Sequence, residues 1–163
     1  MITFERMRTA MVLFLMLVLA VLCNLAPDES KPWHIAQLFM VGGVYIARDY
    51  LQTLIGDYLV LIPMGLLVLI IWSASENPYA SSSGFLIGLT FGWAIFSQSH
   101  QTSVLKRMLS SVLVACAVDS GIYLSAIGRM DGFVSDTAMK VVPLALLYTV
   151  VRTRQCLKTN KRL

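Results

Sequence analysis

Charge, cysteine and histidine are all scarce in this chain. Of its 163 residues only 13% are Asp, Glu, Lys or Arg against 57% hydrophobic, and the mean hydropathy is +0.72. A water-soluble domain needs more polar surface than that, so composition places the chain among membrane proteins. At this length it forms one bundle, with no room for a separate soluble domain. The three cysteines, Cys23, Cys116 and Cys156, have neither the number nor the spacing of a disulfide framework or a thiolate cluster. The two histidines, His34 and His100, both fall in loops, far apart in sequence and with no carboxylate or cysteine at ligand spacing, so no metal site is expected. Neither G-x-x-x-x-G-K-[ST] nor G-x-G-x-x-G occurs, which argues against nucleotide hydrolysis by this chain and against a dinucleotide cofactor. No serine–histidine or paired-carboxylate constellation is present, so an enzyme is not expected. A net charge of +4 would suit nucleic acid only if the basic residues shared one solvated face. They lie between apolar blocks and in the tail instead, which reads as a topology signal, with no nucleic-acid partner.

What is present is a series of six apolar blocks, at about 9–25, 35–55, 58–72, 84–97, 108–127 and 137–151. The longer ones can cross a hydrocarbon core of about 30 Å as helices, and the shorter ones need help from their flanks. The expected fold is all-α: a polytopic bundle of six transmembrane helices in one domain, 1–163. Glu5-Arg6-Met7-Arg8 ahead of Met11 to Cys23 has the outline of a signal peptide, but Leu25-Ala26-Pro27 is an indifferent cleavage site, so a retained first span is expected. Asp28 to Pro32 breaks the first block from the second, and Trp33 and His34 sit at the interface. Ser73 to Gly84 reads as a polar linker with Asn77-Pro78 as its turn. Arg6, Arg8, Arg48, Lys106, Arg107, Arg152, Arg154, Lys158, Lys161 and Arg162 fall on the side of the termini; Lys31, Arg129 and Lys140 fall opposite. That excess predicts cytoplasmic termini and a multi-pass inner-membrane protein. Five spans, or a re-entrant second or fourth block, is the alternative, because the second block ends in polar residues and the fourth is short.

The residues that do not belong in lipid carry the functional reading. Asp119 lies roughly halfway along the fifth block, where an unpaired carboxylate costs a few kcal/mol. It either contacts a polar substrate or makes a structural ion pair with Arg48 or Lys140. Tyr123 stands one turn further on the same face. In the second block, Gly42-Gly43 permits close packing, and Tyr45, Arg48, Asp49 and Gln52 follow at helical spacing. Arg48 and Asp49, being adjacent, point about 100° apart and are expected to reach different partners. Trp93 could stack on a flat ring or serve as ordinary core.

With Arg48-Asp49-Tyr50-Leu51-Gln52 and Ala117-Val118-Asp119-Ser120-Gly121-Ile122-Tyr123 in view, the chain resembles the VUT family of vitamin-uptake-like transporters, the YhhQ type, associated with queuosine precursors. The likeness covers about Leu38 to Val151 and includes the last block, with Lys140 three residues before Pro143. It implies six transmembrane helices and import of a deazapurine such as 7-cyano-7-deazaguanine (preQ0). It also makes Arg48, Asp49 and Gln52 the second-helix signature and Asp119 with Tyr123 the fifth-helix signature. The chain departs from the family pattern at Cys116, where members often carry a second acidic residue, and the departure bears on substrate identity. Two other readings share the sequence: a substrate-binding subunit energised by a partner ATPase, and a structural or assembly protein with no ligand. The lipid bilayer is a partner in all three, and nothing in the pattern separates one chain from a homodimer.

Overall fold

Runs of Leu, Val, Ile and Met leave no polar face for water, and in lipid such a run is stable only when each backbone group is satisfied within the segment, as a helix does. The computed structural model describes residues 4–24 and 31–160, with side chains at 4–23 and 33–154. Six helices result: α1 (Phe4–Asn24), α2 (Lys31–Ile55), α3 (Leu61–Ala74), α4 (Pro78–Gln98), α5 (Val104–Ala126) and α6 (Phe133–Asn160), with a 3₁₀ turn at Met130–Gly132 and no strand among the described residues. Four of them, α1, α4, α5 and α6, are long and apolar enough to cross a membrane. The other two fall short for different reasons. α3 is apolar throughout but has only 14 residues, about 21 Å of rise. α2 has 25, but its last turns hold Arg48, Asp49 and Gln52. The break at Asp28 to Ser30 and the tail residues Lys161 and Arg162 lie outside the described residues, as do the side chains of Lys31, Cys156 and Lys158.

α2 is the innermost helix, packing against α1, α4, α5 and α6. Tyr45, Arg48 and Asp49 are fully buried on it, while Phe14 of α1, Ile62 and Leu69 of α3 and Val134 of α6 lie exposed on the outside. This arrangement suits a lipid solvent: hydrocarbon can surround Phe and Leu but not a guanidinium, so the most polar helix is the most enclosed. Glycines set how closely it is enclosed. A Cβ on Gly42 would lie 1.8 Å from the Lys140 carbonyl oxygen of α6, and one on Gly43 would lie 3.2 Å from Leu19 of α1. The pair thus admits one neighbour on each side. Gly84, Gly88 and Gly92, at four-residue spacing on α4, do the same for α5, the small-residue contact usual between membrane helices.

Three expectations change. The polar stretch Ser73 to Gly84 is no linker: Ser73 and Ala74 finish α3, and α4 begins at Pro78. Proline is well suited to a first helical turn, where its missing N–H is not needed. Ser82 and Ser83 then turn their hydroxyls back to the carbonyls of Pro78 and Tyr79, which lets serines continue a helix in an apolar setting. His34 likewise lies inside α2 and not in a loop. Finally, Arg48 and Lys140 are buried side chains, at 0% and 5% exposure, and do not count as loop charges; without them the asymmetry is nine basic residues to two.

Candidate functional site

The buried polar residues fall into three groups stacked along the bundle. At the end where α2, α4 and α6 begin, a cavity of about 160 Å³ opens among the helices. Its apolar walls come from Leu38, Val41, Ile71 and Phe85, and its polar ones from His34, Gln37, Asp119, Tyr123 and Lys140. Ser75, Glu76 and Asn77, in and beside the α3–α4 connection, and Asp136, in the first turn of α6, complete the rim. Asp119 is the sixteenth of the 23 residues of α5, past the middle, about 10 Å from the end of the helix. Its Oδ2 accepts a hydrogen bond from Lys140 Nζ at 2.7 Å. Of the two partners the sequence allowed, Lys140 is therefore the one taken. At the rim, His34 Nε2 lies 3.6 Å from Asp136 Oδ1.

Toward the other end, Arg48 and Asp49 form the second group. They pair with each other, Arg48 Nη2 to Asp49 Oδ1 at 2.7 Å, contrary to the expectation from their angular separation. A third partner holds the two together. Ser111 of α5 accepts from Arg48 Nη2 at 2.9 Å, and its own hydroxyl lies within donating distance of Asp49 Oδ1 (3.1 Å) and of the Gly92 carbonyl (2.9 Å). Arg48 Nη1 donates to the Leu89 carbonyl of α4. Gly92 makes this possible, because a Cβ there would lie 2.5 Å from Arg48 Nη2. Charge, hydroxyl and two backbone carbonyls thus join α2, α4 and α5 in a closed network.

The third group surrounds Asp57, in the α2–α3 turn. Gln52 Nε2 donates to Asp57 Oδ1 at 2.7 Å and to Ser97 Oγ at 2.8 Å. Trp93 Nε1 donates to the Asp57 carbonyl at 2.7 Å, and His100 Nε2 lies 3.3 Å from Asp57 Oδ2. Trp93 and Gln52 are accordingly fasteners at the far end and do not line the cavity. Tyr45 stands between the groups. Its ring packs on Phe85 of the cavity wall, with centroids 5.4 Å apart, and its buried hydroxyl lies on the Asp119 side of the bundle. A Cβ on Gly88 would lie 2.9 Å from that hydroxyl and 3.0 Å from Asp119 Cβ.

Of the seven residues singled out from sequence, then, Asp119 and Tyr123 line the cavity, Tyr45 lies one layer behind it, and Arg48, Asp49, Gln52 and Trp93 lie away from it. These seven residues therefore do not share one site. Sequence reasoning passed over His34, Gln37 and Asp136, yet a signal was there: His34, Gln37, Leu38 and Val41 have the i, i+3, i+4, i+7 spacing of one helical face. Assigning His34 to a loop cut that stripe short.

Among the described residues no group of three or more histidine, cysteine or carboxylate side chains could hold a metal ion. No protein-family model, curated protein or solved structure matches the chain.

Proposed function

We propose that the protein is a multi-pass carrier of the cell inner membrane that imports a queuosine precursor such as 7-cyano-7-deazaguanine or a related deazapurine. The observation that carries this reading is the cavity beside Asp119. At about 160 Å³ it is comparable to the ~150 Å³ cavity known to admit a benzene ring, which suits a flat heterocycle. Aliphatic and phenyl walls favour its faces, while a carboxylate, an ammonium and an amide are placed to meet its edges. In the resting arrangement Lys140 occupies the Asp119 carboxylate. A ring edge rich in N–H donors competes for that oxygen and frees the ammonium to meet a ring carbonyl. The binding is non-covalent throughout.

All six helices cross the membrane in this proposal, and both termini are cytoplasmic, supported by the excess of basic residues at that end. The cavity mouth, beside the starts of α2, α4 and α6 and the α3–α4 connection, then faces outward, as capture for import requires. The test is equilibrium binding and uptake of labelled 7-cyano-7-deazaguanine by the purified protein in liposomes, alongside Asp119→Asn. Accumulation by the wild type with no other protein present, reduced by the substitution, is the expected result. Binding without accumulation indicates a subunit that depends on an ATPase partner, and the absence of binding by any purine analogue indicates a structural role.

A further inference from the structure

The cavity beside Asp119 is charged opposite to the chain as a whole. Basic residues outnumber acidic ones 13 to 9 overall, yet among the described residues the cavity is lined by three carboxylates, Glu76, Asp119 and Asp136, against one lysine, Lys140. Asp119 and Lys140 satisfy each other at 2.7 Å. The other two carboxylates, both at the rim, have no such partner. Glu76, in the α3–α4 connection, is exposed and makes no ion pair among the described residues. Asp136 is 8% exposed and stands in the first turn of α6, where a helix N-terminus accommodates negative charge. The base beside it is His34, 3.6 Å away. With His34 neutral, two negative charges at the mouth have no cation to offset them; with His34 protonated, one remains.

A concave site with low-dielectric walls and charge of one sign concentrates ions of the opposite sign and repels its own. A ligand carboxylate or phosphate entering here meets Glu76 and Asp136 first. Lys140 can receive it only by leaving Asp119, and Asp119 then stands beside the newcomer as a second, unpaired negative charge. An uncharged ring meets neither obstacle: its N–H groups can bond the carboxylates while its faces lie on the apolar walls. We propose that Glu76 and Asp136 set the specificity of the site by charge, admitting an uncharged ring and rejecting the same ring when it bears an acidic group. The identity of the ring rests on the carrier reading above; the rejection of anions does not. Selection of this kind acts by repelling the wrong ligand, without a tighter grip on the right one.

The test is equilibrium binding to the full chain in nanodiscs of lipid with no net charge, using two ligand series matched in shape. One is 7-cyano-7-deazaguanine with the 7-carboxamide and 7-carboxylate of the same ring; the other is benzamide with benzoate. Amide and carboxylate are close in size, so the ratio of their affinities reads charge. Wild type is expected to bind each amide roughly tenfold or more tightly than its carboxylate, and rising salt should shrink that ratio. Glu76→Gln, exposed and outside the helices, should bring the ratio toward one with amide affinity held, and Asp136→Asn should do the same. A merely structural effect would lower both affinities together and leave the ratio where it was, which overturns the proposal. Carboxylates bound as tightly as amides, with the nitrile also bound, overturn the selection and leave the carrier reading intact. Benzamide preferred to benzoate, with no deazaguanine bound, supports the selection and counts against the carrier. Failure of every ring to bind overturns both.

Discussion

Among the described residues two ion pairs are buried, both closed at 2.7 Å, and their surroundings differ. Arg48–Asp49 is fully enclosed, and its guanidinium also bonds a serine hydroxyl and a backbone carbonyl on two neighbouring helices. Asp119–Lys140 lies beside a cavity, and Lys140 brings only its ammonium to the carboxylate. Distance alone does not separate a structural ion pair from an exchangeable one. What separates them is what surrounds each charge: the first has polar protein groups on several sides, so removing one partner strands the other, whereas the second has space into which a competing ligand can come. An interior charge in a membrane protein is therefore best read by asking what would solvate it if its partner left.

That contrast can be broken experimentally. The largest effect is expected for Arg48→Met, which strands Asp49 in a closed site; destabilisation of about 3–5 kcal/mol should appear as loss of folded protein or a much lower melting temperature in detergent. Adding Asp49→Leu should recover part of it, and no recovery would show that the arginine acts through its carbonyl bonds instead. Gly42→Ala comes next. Its Cβ meets the Lys140 carbonyl at 1.8 Å, and forcing α2 from α6 should cost about 1–3 kcal/mol, read by thermal unfolding, with ligand affinity reduced because Lys140 moves with that backbone. Asp119→Asn should cost less stability than Arg48→Met, since water can reach the site, yet weaken deazapurine binding by roughly tenfold or more, the worth of a charge-assisted hydrogen bond of about 1.5–3 kcal/mol. Equal stability losses for the two would erase the distinction between the pairs. The smallest effect belongs to Trp93→Phe, which removes one hydrogen bond to the Asp57 carbonyl and should lower stability by about 0.5–1.5 kcal/mol, with ligand affinity unchanged because the ring lies away from the cavity.

Much of the architecture was legible in the chain because lipid imposes simple rules. Apolar runs had to be helices, and their number and approximate limits followed. The mistakes came where polar residues were judged by composition alone. Ser81, Ser82 and Ser83 look like a linker, yet a serine that bonds back to a carbonyl a turn earlier can sit in an apolar helix. Lys140 and Arg48 were counted toward the charge asymmetry, yet both are interior. Arg48 and Asp49 were expected to diverge because ideal helical angles ignore the reach of a long side chain. Gln52 and Trp93 have the chemistry of a ring-binding site, but their partners lie in the α2–α3 turn.

The amino-acid sequence by itself determined that this protein is helical and that several of its helices are apolar enough to cross a membrane, since both follow from the length and polarity of local runs. It also determined that Asp119, Arg48 and Asp49 needed shelter, because the cost of a charge in hydrocarbon does not depend on which neighbour relieves it. Which neighbour does so was settled only when the helices packed. Lys140 reaches Asp119 because Gly42 brings α2 against α6, and Ser111 joins Arg48 to Asp49 because Gly92 admits the guanidinium. Those contacts link residues 21 to 98 positions apart, and such closeness depends on the fit between helix surfaces, which no local pattern contains.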